Sequence, residues 1–229
     1  MLSYALKRSK RKTISITVAE NGEVIVSAPL RAPKTYIDNI VKDKAPWINS
    51  KLDIINKRLD EYKPKQFING EIFEYLGNSY KLRLTNSFSE TKIIDNCISL
   101  GIKKPNLNLQ NGQATVRRRL LAWYRTKAQQ HIDNYAHVKA CEIGVKPLIV
   151  KEKAFRRSWG MCHSDGKVFI NFKLIMAPVE IINYVIVHEL CHLVHPNHSK
   201  HFWDLVYTHC NSFKSDRLWL KENGYKLEV

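Results

Sequence analysis

The sequence predicts an α+β fold with two parts, a β-rich N-terminal module over residues 1–109 and a C-terminal domain over residues 110–229. Apolar and polar residues alternate along several short N-terminal segments, as they do in half-buried strands. Helical periodicity replaces this alternation after residue 110. Near the end of the chain, an apolar segment from Val179 runs directly into histidines and a glutamate. This segment predicts a buried helix that carries chemistry, packed beside a small sheet.

The N-terminal module begins with a predicted β-hairpin. Residues 13–19 and 23–28 alternate in polarity, and a turn at Glu20-Asn21-Gly22 joins them. Two helical runs follow, one from Ala32 and one that Pro46 opens. The other predicted elements of the module are a linker at residues 63–66 and strands at residues 71–75, 79–84, 91–94 and 97–100. We therefore expect a β-rich module with a helical arm of two helices.

The C-terminal domain opens with a predicted helix over residues 114–137, whose apolar residues recur at helical spacing. We expect Trp123 and Tyr124 to pack in the core beside Leu120 and Leu121. Stacking on nucleobases is the alternative for two aromatic residues among arginines. The later predicted elements are strands at residues 148–152, 155–159 and 168–172, a helix from Val179, a helix over 200–210 capped by Ser199, and a helix over 214–224.

The chemically specific feature of the chain is the motif His188-Glu189-x-x-His192. Residues four apart on an α-helix lie on the same face, so two imidazoles can hold one metal ion. Glu189 adjoins these ligands without being one of them, which is the place of the general base in zinc peptidases. Pro178 suits the first turn of a helix, and a buried helix gives the ligands a rigid mount. The motif therefore predicts a helical metal site with Glu189 as the catalytic base.

A catalytic zinc site needs a third protein ligand and an open position for water. Three histidines follow the motif: His195, His198 and His201. On a straight helix, His195 would lie about 10.5 Å along the axis from His188, too far for the two to share an ion. Pro196 also disfavours a helical conformation at His195. The chain should double back here, and His198 then becomes the preferred third ligand.

The spacing of His188, His192 and His198 matches the metzincin pattern His-Glu-x-x-His-x-x-Gly-x-x-His. His195 occupies the Gly position of that pattern, so the turn geometry must differ; Asn197 tolerates the left-handed conformation of a sharp turn. Zinc is the expected ion, because imidazole ligands with one open site suit it. Manganese, cobalt and iron are the alternatives.

Several segments resemble the YgjP-like metal-dependent hydrolases. They are Arg157-Ser-Trp-Gly-Met-Cys162, Ile170-Asn-Phe172, Leu174–Pro178, the His-Glu-Leu-Cys-His run and Asn197-His-Ser-x-x-Phe-Trp203, with Ile25–Pro29 and Ala45–Ile48 in the N-terminal half. The inserted Ser158, and Met161 where Ser is usual, depart from the family pattern. The family is similar to the SprT and WLM zincin-like peptidases. The resemblance implies a zincin-like metallopeptidase domain in which one edge strand receives an extended peptide. Trp159 and Gly160 either lie near that edge or are a buried Trp followed by a turn Gly.

Composition indicates a globular protein, with 44% hydrophobic and 25% charged residues. Five scattered cysteines, an odd number, argue against a disulfide framework and for a reducing compartment. Residues 1–6 are too short for the core of a signal peptide, and no apolar run approaches the length of a membrane span. We therefore expect a cytoplasmic protein that does not bind membranes.

The net charge of +16 is large for 229 residues and would attract polyanions. Positive residues concentrate in Lys7–Lys12 and in residues 96–132, which hold no Asp or Glu. The basic residues of the second stretch include Lys103, Lys104, Arg117, Arg118, Arg119, Arg125 and Lys127. They can contact nucleic-acid phosphates, or they can merely solvate exposed faces.

The function predicted by these observations is that of a zinc-dependent hydrolase, a metallopeptidase acting on peptides or proteins. Two alternatives stay open. One is a DNA-associated protease of the SprT or WLM type, and the other is a non-catalytic nucleic-acid-binding protein with a structural zinc. The second needs a fourth protein ligand such as His195 or Cys191, although we expect Cys191 to pack in the core. Candidates for oxyanion stabilisation are His163, Tyr184 and Tyr207, and candidates for orienting a ligand imidazole are Asp204 and Asp216.

Overall fold

The computed structural model describes residues 2–19, 21–61, 63–86, 90–102 and 110–229, without the side chains of residues 58, 60, 110 and 111. These residues form an α+β fold of ten strands and six α-helices, divided into two compact units at residues 1–63 and 64–229. The division therefore lies at the start of the predicted linker, whereas the sequence placed the boundary at 109/110. Residues 103–109, which adjoin that predicted boundary and include Lys103 and Lys104, lie outside the described residues.

The first unit is a three-stranded sheet with two helices. Its strands are β1 (Ala5–Ser9), β2 (Ser15–Val18) and β3 (Val24–Pro29), and its helices are α1 (Lys34–Asp43) and α2 (Ala45–Glu61). The central strand β3 is parallel to β1 and antiparallel to β2, and its alternate side chains are buried. The predicted hairpin is confirmed, although Glu20 in its turn lies outside the described residues. Sequence analysis missed β1, because the strand overlaps the first basic run and its polarity does not alternate.

Two sheets belong to the second unit. The first has the order β4-β5-β7-β6 and consists of β4 (Ile72–Tyr75), β5 (Asn78–Thr85), β6 (Lys92–Ile94) and β7 (Cys97–Gly101). The second has the order β8-β10-β9 and consists of β8 (Ile149–Lys153), β9 (Gly160–Cys162) and β10 (Lys167–Asn171). The predicted strand at residues 155–159 is wrong, since these residues form a loop and β9 begins after them. β9 is an edge strand antiparallel to β10.

Four helices complete the second unit: α3 (Gln110–Ile143), α4 (Val179–Cys191), α5 (Lys200–His209) and α6 (Phe213–Asn223). α3 buries one face in the core, including Trp123 and Tyr124. The Tyr124 hydroxyl donates a hydrogen bond to the Glu74 carbonyl at 2.6 Å, which joins the helix to β4. These two aromatic residues therefore pack in the core and are not available to stack on nucleobases. None of the helices in the described ranges combines the length and apolar character needed to cross a bilayer.

The start of α4 is held by the turn between β4 and β5. The Leu76 N–H donates to the Ile175 carbonyl at 2.8 Å, and the Gly77 N–H donates to the Met176 carbonyl at 3.3 Å. Gly77 has a φ of +76°, and a Cβ atom there would lie 2.9 Å from the Cα of Pro178. Only glycine fits this turn without strain. The first sheet of the second unit thus fixes the position of the helix that carries the histidine motif.

Candidate metal centre

The first two histidines lie at the C-terminal end of α4. His188 occupies its last turn, and His192 follows its last residue, Cys191, with helical backbone angles of φ −67° and ψ −18°. The two imidazoles therefore lie on one face of the helix, as the spacing predicts, with ring centroids 4.9 Å apart. Most residues of α4 are buried, so the surrounding core immobilises the backbone that carries these two side chains.

The chain reverses directly after the helix. Two N–H groups, those of Val194 and His195, donate to the Cys191 carbonyl at 3.1 and 3.0 Å, which ends the helical ladder. The chain then bends through Pro196 and Asn197. Asn197 does not use the left-handed conformation that its side chain tolerates, because its φ is not positive. The Ser199 N–H instead donates to the Asn197 carbonyl at 2.8 Å and closes the turn.

The reversal brings His198 back beside the first two histidines. The candidate ligand atoms of His188, His192 and His198 all lie within 4.8 Å of one another. The Nε2 atoms of His188 and His198 are 3.1 Å apart. Tetrahedral zinc with Zn–N bonds of about 2.0–2.1 Å would separate two nitrogen ligands by about 3.3 Å, so this pair fits such an ion with little adjustment.

The tautomer of one imidazole is fixed by the backbone. Nδ1 of His192 lies 3.1 Å from the His195 carbonyl oxygen, which can only accept a hydrogen bond. Nδ1 therefore carries the proton, and Nε2 of His192 is left with a lone pair for a metal. Nδ1 of His188 is buried without a protein hydrogen-bond partner. The candidate ligand atoms are thus Nε2 atoms, at least for His188 and His192.

The lowered pKa values of His188 and His192 also suit the binding of a metal cation. Burial lowers the pKa of His188 to about 3, with further lowering by the neighbouring His192 and His198. Burial likewise lowers the pKa of His192. A metal binds only the neutral imidazole, so the site favours the protonation state that a metal requires.

Two aromatic residues of α5 form the floor of the site. Ser199 caps this helix by accepting a hydrogen bond from the Phe202 N–H, which sets the orientation of its first turn. The buried Phe202 ring contacts all three imidazoles, with centroid distances of 5.0, 4.4 and 4.9 Å to His188, His192 and His198. The Trp203 ring stacks on His198 at 5.5 Å. The rings therefore restrict the orientations that each imidazole can adopt.

Glu189 lies beside the histidines and is only 7% exposed. Burial raises its pKa to about 8, because the carboxylate is poorly solvated there. The side chain nevertheless lines a cleft of about 940 Å³ that it shares with the three histidines. A carboxyl group with a raised pKa in an open cleft is the arrangement expected of an acid–base residue.

Gly160 brings the edge strand β9 against Glu189. A Cβ atom at position 160 would lie 2.5 Å from both Cγ and Oε1 of Glu189, so no larger side chain fits without displacing the carboxyl group. The backbone of β9 therefore forms the wall of the cleft nearest the carboxyl group. The sequence placed Gly160 near an edge strand by resemblance, but gave no sign of its contact with Glu189.

Asn171, at the end of β10, holds the loop that leads into β9. This side chain is 2% exposed, and its Nδ2 donates to the carbonyls of Phe155 and Ser158 at 3.2 and 3.0 Å. The Asn171 N–H donates to the Trp159 carbonyl at 2.8 Å. Sequence analysis noted Asn171 only as part of a family segment. The available signal was a polar residue at the end of an apolar strand, which needs several hydrogen-bond partners once it is buried.

The other histidines and the cysteine do not join the cluster. The rings of His195 and His201 lie beside each other, with centroids 6.2 Å apart, outside the group of three. Cys191 is fully buried in the core, and burial raises the pKa of its thiol to about 12. Neither of the fourth ligands required by a structural zinc site, His195 or Cys191, is therefore placed to act as one.

Only some of the candidates for oxyanion stabilisation and imidazole orientation lie at the cleft. His163 and Tyr184 line the cleft, whereas Tyr207 is exposed and packs on Phe213 away from it. Burial raises the pKa of Tyr184 to about 12, so its hydroxyl keeps its proton at neutral pH. Neither aspartate hydrogen-bonds a ligand imidazole among the described residues: Asp216 instead accepts from Ser212 Oγ at 2.6 Å. The acceptor for His192 is the backbone carbonyl of His195. Because every residue has a carbonyl group, the amino-acid types in the sequence do not reveal this acceptor.

Comparison with known proteins places the chain in a family. One solved structure, the metallopeptidase zymogen of Pyrococcus abyssi abylysin, matches 39% of this chain and 93% of its own length at 19% identity, with a TM-score of 0.34. No curated protein matches. The family model of the YgjP-like metallopeptidase domain matches residues 12–223, nearly the whole chain. The chain therefore belongs to the YgjP-like family of metallopeptidase domains and is a metal-dependent hydrolase.

Proposed function

We propose that this protein is a zinc peptidase in which His188, His192 and His198 hold the ion and Glu189 is the general base. The observation that carries the proposal is the convergence of three imidazoles and one buried carboxyl group on a single open cleft. Three histidine ligands leave a fourth coordination position free, which is the pattern of catalytic rather than structural zinc sites.

The chemistry of the ligand set favours zinc over the harder divalent ions. Imidazole nitrogens suit zinc, and no carboxylate belongs to the group of three in the described part of the chain. Bound there, zinc would acidify a water molecule and polarise a substrate carbonyl. The Glu189 carboxylate would accept a proton from that water, and the same buried carboxyl group could then return the proton to the departing amine.

The expected peptide-binding element is the edge strand β9. Within the described residues β9 pairs with β10 alone, so its other edge can offer main-chain groups to a further strand. The contact of Gly160 with Glu189 would set that edge beside the base, as in the zincin-like arrangement that the family resemblance implies. Tyr184 and His163 are the candidates to stabilise the developing oxyanion, since both line the cleft.

The substitution Glu189→Gln tests the catalytic part of the proposal. It preserves shape but removes the proton acceptor, so we expect unchanged zinc stoichiometry and hydrolysis of an unstructured protein reduced by about 10²- to 10⁴-fold. Glu180→Gln is the matched control, because Glu180 is exposed in the first turn of the same helix. Full activity in the Glu189 variant would disprove the assignment of the base.

A DNA-associated protease remains the second candidate, and its support is the net charge of +16. Several arginines of the basic stretch already have partners within the protein. Arg119 donates to the Gly101 carbonyl, Arg117 donates to the Val229 carbonyl at 3.1 Å, and Arg125 pairs with Glu152 at 3.8 Å. The same hydrolysis assay with and without duplex DNA separates the candidates: activity that rises with DNA and falls with salt favours the second.

A further inference from the structure

One wall of the cleft carries positive charge. Arg217 and Lys221 lie one turn apart on α6 and both line the cleft. Besides Glu189, they are the formally charged residues of its lining. The side of the cleft that α6 forms therefore carries positive charge, whereas the Glu189 side chain is buried.

Arg217 is held in place beside the histidines. Its guanidinium carbon lies 5.2 Å from the centre of the Trp203 ring, and that ring stacks on the imidazole of His198. Arg217 is also within electrostatic reach of Tyr184 in the cleft: burial raises the pKa of that hydroxyl, and the positive charge partly offsets the rise. The same indole ring thus contacts a candidate metal ligand and a cleft-lining cation.

No ion-pair partner accounts for this cation. Among the described residues, no carboxylate lies within ion-pair distance of Arg217, although its neighbour in sequence is the buried Asp216. The Asp216 carboxylate is instead engaged by Ser212 and Cys210. A guanidinium group that stacks on an indole still presents its N–H donors in a planar fork, which matches the two oxygens of a carboxylate.

We propose that Arg217 binds a carboxylate of the substrate and gives this peptidase a preference for acidic side chains close to the scissile bond. The inference rests on the proposed peptidase function and deepens it by naming a substrate class. A peptide laid along β9 would have its side chains within reach of α6 on the far side of the cleft. An Asp or Glu side chain there would meet Arg217, whereas a Lys or Arg side chain would be repelled by it.

The experiment compares paired fluorogenic peptides that differ only in Glu against Gln, or Asp against Asn, at positions flanking the cleaved bond. We expect the wild-type protein to have a kcat/KM for the acidic peptide about three- to tenfold above that for its amide partner, as for a partly exposed ion pair. In Arg217→Gln this ratio should fall to about one, mainly because KM for the acidic peptide rises. Arg217→Lys should retain part of the preference for the acidic peptide. Lys214→Gln removes a charge from the same helix outside the cleft lining and should leave the ratio unchanged.

Two further measurements keep the outcomes distinct. Arg217→Gln should not change zinc affinity, measured by competition with a chelator; a loss there, with both peptides slowed equally, would assign Arg217 a structural role through Trp203 and overturn the inference. An equal wild-type rate for acidic and amide peptides would also overturn it while leaving the peptidase function intact.

If the wild-type protein cleaves no peptide, the proposed function fails. Anisotropy of the same labelled peptides on the zinc-loaded Glu189→Gln variant then still tests Arg217, because binding does not require turnover.

Discussion

The Cα atom of Gly160 lies so close to the carboxyl group of Glu189 that the two positions exclude any side chain between them. A Cβ at residue 160 would be 2.5 Å from Oε1 and 2.7 Å from Cδ of Glu189. The carboxyl group of the proposed base therefore fills the space that a side chain at residue 160 would need. Sequence separation hides this relationship, since 28 positions lie between the two residues, and only the fold brings them together.

The substitution Gly160→Ala should therefore impair hydrolysis by displacing the carboxyl group. A shift on the order of 1 Å in a catalytic group reduces turnover by about a hundredfold, and we expect kcat/KM to fall by about that factor. Zinc stoichiometry should not change, because the candidate metal ligands are His188, His192 and His198. Kinetics on an unstructured protein, with metal analysis of the same preparation, provide the measurement.

A double variant sharpens this prediction. Glu189→Asp withdraws the carboxyl group by one methylene and should be impaired alone. In the presence of Gly160→Ala, however, the shorter side chain relieves the collision, so the losses of the two substitutions should combine to less than their product. Losses that multiply fully would show that the close contact does not control the position of the base.

Asn171 should stabilise the fold by holding the loop before β9. Removing its amide leaves the carbonyls of Phe155 and Ser158 without their donor and should lower the free energy of unfolding by about 1–3 kcal/mol. Asn171→Asp is the sharper variant, because it keeps the acceptor for the Lys173 N–H but sets an anionic oxygen against two carbonyls. We expect Asp to be at least as destabilising as Ala, measured by chemical denaturation of the zinc-loaded protein. A stable Asp variant would mean that the loop before β9 is held by other contacts.

The histidines after the motif should differ sharply in their effect on zinc. His198→Ala removes a proposed ligand, and we expect its zinc dissociation constant to rise by at least about a hundredfold. His195→Ala is the matched control, since that side chain packs against His201 and only its carbonyl contacts His192. We expect zinc affinity within about threefold of wild type for the control. Chelator treatment should abolish hydrolysis by the wild-type protein, and added zinc should restore it.

The peptidase unit should need the sheet that precedes α3. Residues 64–229 form one compact unit, and the Tyr124 hydroxyl and the β4–β5 turn tie that sheet to α3 and to the start of α4. A fragment of residues 64–229 should therefore unfold cooperatively and bind zinc, whereas a fragment of residues 110–229 should lack a cooperative transition. Circular dichroism during thermal unfolding distinguishes the two, and cooperative unfolding of the shorter fragment would contradict the expectation.

Local patterns predicted much of this chain, and non-local packing accounts for what they missed. The helix of the His188 motif, the reversal at Pro196 and the cap at Ser199 depend on neighbouring residues, so spacing and residue type sufficed. Strand β9 was displaced from the predicted segment at residues 155–159, because that segment is held as a loop by Asn171 from another strand. The parallel pairing of β1 with β3 has no local signature either, since it depends on a partner about 20 residues away.

The boundary of the second unit illustrates the same limit. Composition changes at residue 110, where short strands give way to a long helix, and the sequence analysis placed a domain boundary there. Phe73, Leu82 and Ile98 of the preceding sheet nevertheless lie in one continuous core with Leu120 of α3. The change from short strands to a long helix near residue 110 therefore lies inside the second unit and not at its boundary.

The hydrogen bond from His192 to the carbonyl of residue 195 has a consequence for how this centre tolerates mutation. Every amino acid supplies a carbonyl oxygen, so no single side-chain replacement at position 195 can delete the acceptor that orients the imidazole. Orientation is thus encoded in the path of the chain through the bend, and it would be lost by insertions or deletions between Cys191 and His198 before it was lost by point substitution. The number of residues in that bend, rather than their identity, therefore sets the orientation of the His192 imidazole.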